Sequence, residues 1–261
     1  MQEFQGVAWA VADGIGRIEL RRPEQANSLS LAAAGGLARA VDEVLAAQPK
    51  VVVLTAQGKV FCAGGHIPEF VAAGEHFDQL IDDILAPMNP AMERLAQAPM
   101  PVVAAVSGPI GGAGVGLALC ADLVVACESM KLRTGYAAIG LSPDLGTSYF
   151  LARRVGSQRA KQWLWLSDAV SAQECLRHGA VDMVVPDAEL HATVETLVAR
   201  LRDGSRLSQA SIKRLCDGAM QRSLGEQLRL EQEALLACAR GDDAKEGIRA
   251  FVEKRRPRFN P

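Results

Sequence analysis

Three unbroken apolar runs, separated by longer segments with helical periodicity, constrain the fold of this chain more than any other feature. The runs read VVVLT at 51–55, VVAAV at 102–106 and LVVA at 123–126. A strand that is covered on both faces has this pattern, which is typical of a parallel sheet flanked by helices. The sequence therefore predicts an α/β fold with a buried sheet.

Strands and helices are predicted along the whole chain. Strands are expected at 16–20, 51–55, 101–106, 122–127 and 181–185. Helices are expected at 29–47, 77–95, 189–201, 205–220, 224–239 and 242–254. After about residue 186 the pattern becomes entirely helical. This change indicates a sheet-containing core followed by a helical C-terminal region.

Two of the predicted helices contain residues that disfavour a helix. The first contains Gly35 and Gly36, each of which destabilises a helix interior by about 1 kcal/mol relative to Ala. We expect these glycines to mark a close packing contact. The helix at 77–95 contains Pro87 and Pro90 and is expected to be kinked or split, because proline removes a backbone donor.

Composition and charge argue against several classes of partner. The 261-residue chain has a net charge of −2, so no nucleic acid or anionic membrane partner is expected. No segment approaches the ~20 consecutive apolar residues of a membrane span, and residues 1–11 lack a signal pattern. A protein of the cytoplasm, or of an organelle lumen, is expected. The six cysteines form no CxxC pair and do not cluster with the four histidines, so no metal site is expected.

Two glycine-rich segments are candidates for ligand binding: GKVFCAGGHI at 58–67 and VSGPIGGAGVGLA at 106–118. Glycines permit tight turns and a close approach of backbone N–H groups to a ligand. Two such turns side by side would offer two N–H groups to one oxygen, the construction of an oxyanion hole. Neither segment matches the dinucleotide-binding or the P-loop pattern. Tight packing of helix against strand is the alternative explanation.

One carboxylate, Asp144, lies in the segment GYAAIGLSPDLG at 135–146. Partly apolar surroundings raise the pKa of a carboxyl above its usual value of about 3.9. Such a group is suited to take and return a proton near neutral pH. Aspartate just before a helix is also typical of an N-cap. Both roles are open from the local sequence.

Several segments, taken in order, resemble the crotonase family, the enoyl-CoA hydratase/isomerase superfamily, over essentially the whole chain. They read IELRRPEQANSLS, VFCAGGHI, PVVAAVSGPIGGAGVGLALCADLVVA, IGLSPDLGTSYFLARRVG and AKEGIRAFVEKRRPRF. The resemblance implies a crotonase-like spiral of ββα repeats at 1–200 and a C-terminal helical trimerisation region at 201–261. It also implies an acyl-CoA substrate, no cofactor apart from the coenzyme A of that substrate, and a homotrimer or dimer of trimers.

The resemblance also implies roles for individual residues. The backbone N–H groups of Gly65 and Ala113 are expected to form the oxyanion hole. Other residues in and around the glycine-rich turns, together with one tyrosine, are expected to contact the substrate: Ala26, Ser28, Leu29, Ala63, His66, Ile67, Gly112 and Tyr136. Phe251 and Lys254 of a neighbouring chain are expected to approach coenzyme A. The walls of the acyl pocket are expected at 70–90, at Tyr136 and on the C-terminal helices.

The catalytic side chains differ from those of the family's hydratases. The two positions that carry glutamates in hydratases hold Gly116 and Tyr136 here. Asp144 matches the single carboxylate of some family isomerases, and a lone base suffices to move a double bond. The resemblance therefore predicts isomerisation with Asp144 as acid and base. Hydration or hydrolysis of a specialised acyl-CoA, and a catalytically silent acyl-CoA-binding scaffold, are the alternatives.

Two further features bear on the resemblance. Asp144 also resembles the nucleophilic aspartate of the 4-chlorobenzoyl-CoA dehalogenases, but Tyr136 replaces their tryptophan and Asn89 stands near the position of their histidine. The chain therefore lacks the base that activates water in the dehalogenases, which disfavours this interpretation. His66 stands where relatives usually have aspartate, and we expect it to hold the loop or to contact the ligand.

Overall fold

The computed structural model describes residues 1–259 of the 261-residue chain. In this range the strands are β1 (Gln2–Phe4), β2 (Val7–Ala12), β3 (Ile15–Leu20), β4 (Val51–Ala56), β5 (Val102–Val106), β6 (Ile110–Gly111), β7 (Leu123–Cys127), β8 (Lys131–Arg133), β9 (Val170–Ser171) and β10 (Met183–Val185). The helices are α1 (Leu31–Ala46), α2 (Ile67–Ala73), α3 (Phe77–Gln97), α4 (Ala113–Leu119), α5 (Thr147–Val155), α6 (Ser157–Leu166), α7 (Ala172–Arg177), α8 (Leu190–Arg202), α9 (Arg206–Gly218), α10 (Leu224–Ala239) and α11 (Asp242–Val252).

A large mixed sheet forms the centre of the molecule. Within residues 1–259, seven strands pair in the order β1-β2-β3-β4-β5-β7-β10. The strands from β3 to β10 in this order run parallel, whereas β1, β2 and β3 pair antiparallel. The five parallel strands are the five predicted ones, so the α/β class and the buried parallel sheet are confirmed. A smaller sheet has the order β6-β8-β9.

The parallel strands are covered by helices, as their sequences require. Every residue of β5 is buried, and so are Val51, Val52, Val53 and Leu54 of β4. Helix α8 packs against β4, β5 and β7, while α1 packs against β2 and β3 and against α3. The unbroken apolar runs are therefore explained by burial on both faces of the sheet.

Helix α3 continues through both of its prolines. The expected split at Pro87 and Pro90 is therefore wrong, although each proline removes one N–H donor from the helix. Ile84, Met88 and Leu95 are buried along this helix, which packs against α1. Burial of this apolar face holds the helix together across the missing hydrogen bonds.

The C-terminal part of the described chain, after β10, contains only helices and turns. Many of its large apolar side chains are exposed: Leu207, Ile212, Met220, Leu224, Leu228, Leu235, Leu236, Ile248, Phe251 and Val252. The trimerisation region and the division of the chain at residue 200, which falls in the last turn of α8, remain predictions. No helix in residues 1–259 is long and apolar enough to cross a membrane.

The two adjacent glycines of α1 provide a matched test of packing against helix propensity. A Cβ at Gly36 would lie 2.6 Å from the carbonyl oxygen of Phe4, whereas a Cβ at Gly35 would meet only the end of the Gln5 side chain, at 3.2 Å. We expect Gly36→Ala to lower the free energy of unfolding by about 1–3 kcal/mol through overpacking. Gly35→Ala should raise it by up to about 1 kcal/mol through helix propensity. Denaturant unfolding measures both, and equal effects of the two substitutions would contradict the contact.

Candidate active site

A cavity of about 1010 Å³ lies between the two glycine-rich turns, the segment around Asp144 and helices α2 and α3. One side is mostly backbone of the glycine-rich turns: Ala63, Gly65, Gly111, Gly112 and Ala113. Apolar side chains form much of the remainder: Ile67, Phe70, Ile81, Leu85, Ile139, Leu141 and Leu145. The shape and lining are those of a small-molecule site, a largely apolar cavity with a few polar groups.

The two glycine-rich turns are in direct backbone contact. The Gly111 N–H donates a hydrogen bond of 2.9 Å to the Cys62 carbonyl oxygen. Gly64 has φ +97°, and a Cβ there would lie 2.9 Å from the Gly111 oxygen. A Cβ at Gly114 would lie 2.4 Å from the Cys62 oxygen. Glycine is therefore required where the turns meet. The absence of side chains allows the two turns to pack together and also leaves their backbone accessible to a ligand.

Gly65 and Ala113 present unpaired backbone N–H groups. Among residues 1–259, neither of these two amides donates a hydrogen bond to another protein group. Both residues line the cavity, and Ala113 is the first residue of α4. The two predicted oxyanion donors are therefore free of internal acceptors and lie on one cavity.

Asp144 lies in a turn that directs its side chain away from the following helix. Leu145 has φ 43° and Gly146 has φ 74°, so the helix α5 begins only at Thr147, after Gly146 as N-cap. The helix has no side-chain cap. The alternative interpretation of Asp144 as an N-cap is therefore wrong, because two left-handed residues separate its side chain from the helix start.

The carboxylate of Asp144 accepts a short hydrogen bond from Tyr136. The Tyr136 hydroxyl lies 2.5 Å from Asp144 Oδ1 and 3.1 Å from Thr147 Oγ1. Burial raises the pKa of the Asp144 carboxyl, and the Tyr136 hydrogen bond opposes that rise. Burial also raises the pKa of the Tyr136 phenol, and the neighbouring Asp144 charge adds to the shift. Tyr136 is therefore a donor at physiological pH, next to a carboxylate that is more basic than usual.

Gly116, where the resemblance implies a glutamate in hydratases, has no room for a side chain. A Cβ at Gly116 would lie 2.4 Å from the Leu145 carbonyl oxygen and 2.9 Å from Thr147 Oγ1. The turn that carries Asp144 therefore packs directly on the backbone of α4. At the other glutamate position, Tyr136 has its hydroxyl on Asp144.

The structure brings half of the predicted substrate-contacting residues to the cavity. Ala26, Ala63, Ile67, Gly112 and Tyr136 line it. The remaining predicted residues do not: Ser28, Leu29, His66, Phe251 and Lys254.

Those outside the cavity have two kinds of environment. The Ser28 hydroxyl is hydrogen-bonded to His66 Nδ1 at 2.8 Å, and Leu29 is buried. Leu29 is hydrogen-bonded through its backbone to Gly64 and His66 of the first glycine-rich turn, so these residues hold that turn in place. Phe251 and Lys254 are exposed on the C-terminal helical region, and their approach to a neighbouring chain's substrate remains a prediction.

The segments predicted to form the acyl walls differ in whether they line this cavity. Ile81, Leu85 and Asn89, at successive four-residue intervals on α3, all face the cavity. Within residues 1–259, none of the helices α8 to α11 contributes to its lining. Lys131 and Arg133 of the short strand β8 line it and were not predicted, because a strand of this length has no recognisable sequence pattern.

Comparisons with known proteins agree with this architecture. A family model described as enoyl-CoA hydratase/isomerase matches residues 10–261. The chain is 30% identical to the trans-2-decenoyl-[acyl-carrier-protein] isomerase of Streptococcus mutans, with 98% of each chain covered. It is 32% identical to the 1,2-epoxyphenylacetyl-CoA isomerase of Escherichia coli K12, with 99% of each covered. The crystal structure of an enoyl-CoA hydratase from Bacillus anthracis is similar at a TM-score of 0.90 and 31% identity, covering 97% of this chain and 98% of that one.

The fold is the mixed α/β crotonase fold with C-terminal helices. The chain belongs to the enoyl-CoA hydratase/isomerase superfamily, and it is an acyl-CoA enzyme of the hydratase or isomerase type. The resemblance inferred from the order of the motifs is thereby confirmed.

The contact at Gly116 predicts the effect of adding a side chain there. We expect Gly116→Ala to lower the free energy of unfolding by about 1–3 kcal/mol, and Gly116→Glu to lower it further. Gly225→Ala in α10, where a Cβ meets nothing within 4 Å, is the control and should be neutral or slightly stabilising. Denaturant unfolding of the three variants is the measurement. Wild-type stability of Gly116→Ala would show that the turn at Leu145 does not rest on α4.

Proposed function

We propose that this protein isomerises enoyl-CoA thioesters, moving the double bond from between carbons 3 and 4 to between carbons 2 and 3. Asp144 is the acid and base of this reaction. The observation that carries the proposal is a half-buried carboxylate in a largely apolar cavity that also exposes two unpaired backbone N–H groups.

In this proposal, the N–H groups of Gly65 and Ala113 bind the thioester carbonyl oxygen. Removal of a proton from carbon 2 moves negative charge onto that oxygen. Donors that are fixed before the reaction stabilise such charge by several kcal/mol, because they need no reorganisation as it develops. The backbone contact between the turns supplies this rigidity.

Asp144 carries the proton between two carbons. The carboxylate takes a proton from carbon 2, and the electron pair delocalises over carbons 2 to 4 and the thioester oxygen. The carboxylic acid then returns the proton to carbon 4, which leaves the double bond conjugated with the carbonyl. No atoms are gained or lost, so one base is sufficient. Burial raises the pKa of Asp144, which makes it a stronger base than an exposed aspartate.

The substrate's acyl group is proposed to be apolar. Phe70, Ile81 and Leu85 line the cavity, and burial of apolar surface favours an acyl chain of this kind by about 25 cal/mol per Å². The relatives named above act on a decenoyl and a phenylacetyl derivative, according to their names, which is in keeping with an apolar site.

Hydration is the alternative that the site supports less well. Gly116 has no space for the glutamate of the hydratases, and Tyr136 occupies the second glutamate position. A water molecule would then depend on Asp144 alone for both proton transfers. The silent-scaffold alternative leaves unexplained why a carboxylate is held in an apolar cavity, where its charge is disfavoured.

Substitution of the proposed base tests the function directly. We expect Asp144→Asn to lower kcat by at least about 10²-fold, because an amide cannot accept the proton. Formation of the conjugated thioester is followed by ultraviolet absorbance, and binding of a saturated acyl-CoA is measured by calorimetry and should be nearly unchanged. Asp82→Asn, an exposed substitution on α3, is the matched control with full activity. Full activity of Asp144→Asn would contradict the proposal.

Solvent labelling separates isomerisation from the alternatives. In ¹⁸O-water the isomerised product should carry no solvent oxygen. In D₂O it should gain deuterium only to the extent that the proton held on Asp144 exchanges with solvent before it is returned to carbon 4. Incorporation of ¹⁸O would instead identify hydration or hydrolysis. Tight acyl-CoA binding without turnover on a broad panel of enoyl thioesters would identify a silent scaffold.

The pH dependence of kcat/KM should reflect the burial of Asp144. Burial raises the pKa of this carboxyl, and the base works only when it is ionised. Activity should therefore be lost as the pH falls through a value above the ordinary aspartate pKa of about 3.9. A pH profile in the pH range where the fold is stable measures this limb. A limb at or below the ordinary value would show that Asp144 is solvated and is not raised by burial.

A further inference from the structure

Tyr136 stands where hydratases carry a glutamate, and its contacts give it a different task. We propose that Tyr136 is a positioning residue that occupies one oxygen of Asp144 and leaves the other for the substrate carbons, with Thr147 fixing the Tyr136 hydroxyl. This inference rests on the proposed function of Asp144 as the base.

The hydrogen-bond geometry supports a fixed direction of donation. The Tyr136 hydroxyl has one proton, and its shorter contact, 2.5 Å, is to Asp144 Oδ1, the length of a charge-assisted bond. Its oxygen is then free to accept from the Thr147 hydroxyl at 3.1 Å. Tyr136 is only 6% exposed and Thr147 is fully buried, so neither hydroxyl is positioned by solvent.

The second oxygen of Asp144 is left for the cavity. Among residues 1–259, no other residue donates a hydrogen bond to Oδ2. This oxygen is also not one of the fully buried polar atoms that lack a hydrogen-bond partner. Asp144 lines the cavity. Besides its own backbone N–H, Tyr136 is the donor to this carboxylate in residues 1–259. A carboxylate that another side chain holds at one oxygen has a fixed orientation, which proton transfer to a positioned carbon requires.

Thr147 also connects the hydrogen bonds of Tyr136 and Asp144 to the second glycine-rich turn. Its Oγ1 lies 3.5 Å from the Gly112 carbonyl oxygen, which belongs to the same peptide group as the Ala113 N–H. The shorter contact to Tyr136 takes the Thr147 proton. Thr147 thus lies against both the base and the peptide that carries an oxyanion donor, so a shift of Thr147 would disturb both.

Few charged groups face Asp144 from the surrounding elements. Helix α3 presents Ile81, Leu85 and Asn89 to the cavity, and α4 presents Ala113, all without charge. The Cys62 thiol is neutral, because burial raises its pKa to about 12 and the Asp144 charge adds to this. Lys131 and Arg133 line the same cavity from β8. Desolvation and the Tyr136 hydrogen bond are therefore the main opposing influences on Asp144.

The test is the pH profile of Tyr136→Phe, which keeps the ring and removes only the hydroxyl. Loss of a donor to the charged carboxylate should move the acidic limb of kcat/KM upward by about one to two pH units. The plateau kcat should also fall, because the carboxylate is no longer oriented. Binding of a saturated acyl-CoA should stay within about twofold of wild type, because the phenylalanine ring preserves the wall of the cavity. A substitution can lower the rate of the reaction without changing the affinity for a ground-state ligand.

A pair of substitutions at Thr147 keeps the test independent of the folding of Tyr136→Phe. Thr147→Val, which has the same shape without the hydroxyl, should move the limb in the same direction by a smaller amount, and Thr147→Ser should restore the wild-type profile. An unshifted limb in both Tyr136→Phe and Thr147→Val, with Asp144→Asn inactive, would overturn the positioning role and leave the proposed function standing. Full activity of Asp144→Asn would overturn the function itself.

Discussion

The backbone contact between the two glycine-rich turns is the constraint on which the rest of the site depends. Side chains at Gly64 or Gly114 would push the turns apart, since each Cβ would lie within 2.9 Å of a carbonyl oxygen of the opposite turn. Without that contact the N–H groups of Gly65 and Ala113 would not lie on one cavity. Chain entropy opposes the ordering of glycine more than of any other residue, so the burial of the surrounding sheet and helices must stabilise this arrangement.

The turn that carries Asp144 also depends on a neighbouring position that has no side chain. Leu145 adopts φ 43°, a left-handed conformation that costs a non-glycine residue about 1–2 kcal/mol. This strained turn rests on α4 where Gly116 lacks a side chain. The glycine at 116 and the presence of the Asp144 turn are therefore parts of one steric arrangement. A chain with a glutamate at this position would need a different path for residues 144–147.

The sequence predicts those parts of the fold whose pattern is set by burial, and misses those set by tertiary contacts. All five parallel strands follow from apolar runs, because both of their faces are covered. The hairpin of β2 and β3 was missed although it had a signal: Asp13 and Gly14 both have positive φ, and an Asp-Gly pair between apolar segments is typical of a tight hairpin turn. Strands β6 and β9, of two residues each, have no such signal, because their pairing depends on segments distant in sequence.

The order of motifs located both glycine-rich turns and Asp144, but the chemistry of the carboxylate depends on partners that local sequence does not reveal. Tyr136 donates to Asp144 beside a turn in which Leu145 and Gly146 both have positive φ and after which α5 begins only at Thr147. Without a donor, burial would raise the pKa of the carboxylate further and less of it would be ionised, whereas several donors would make it a weaker base. A single phenol at 2.5 Å lies between these limits. The balance between burial and one hydrogen bond, rather than the aspartate alone, determines whether this site has a base for the first proton transfer.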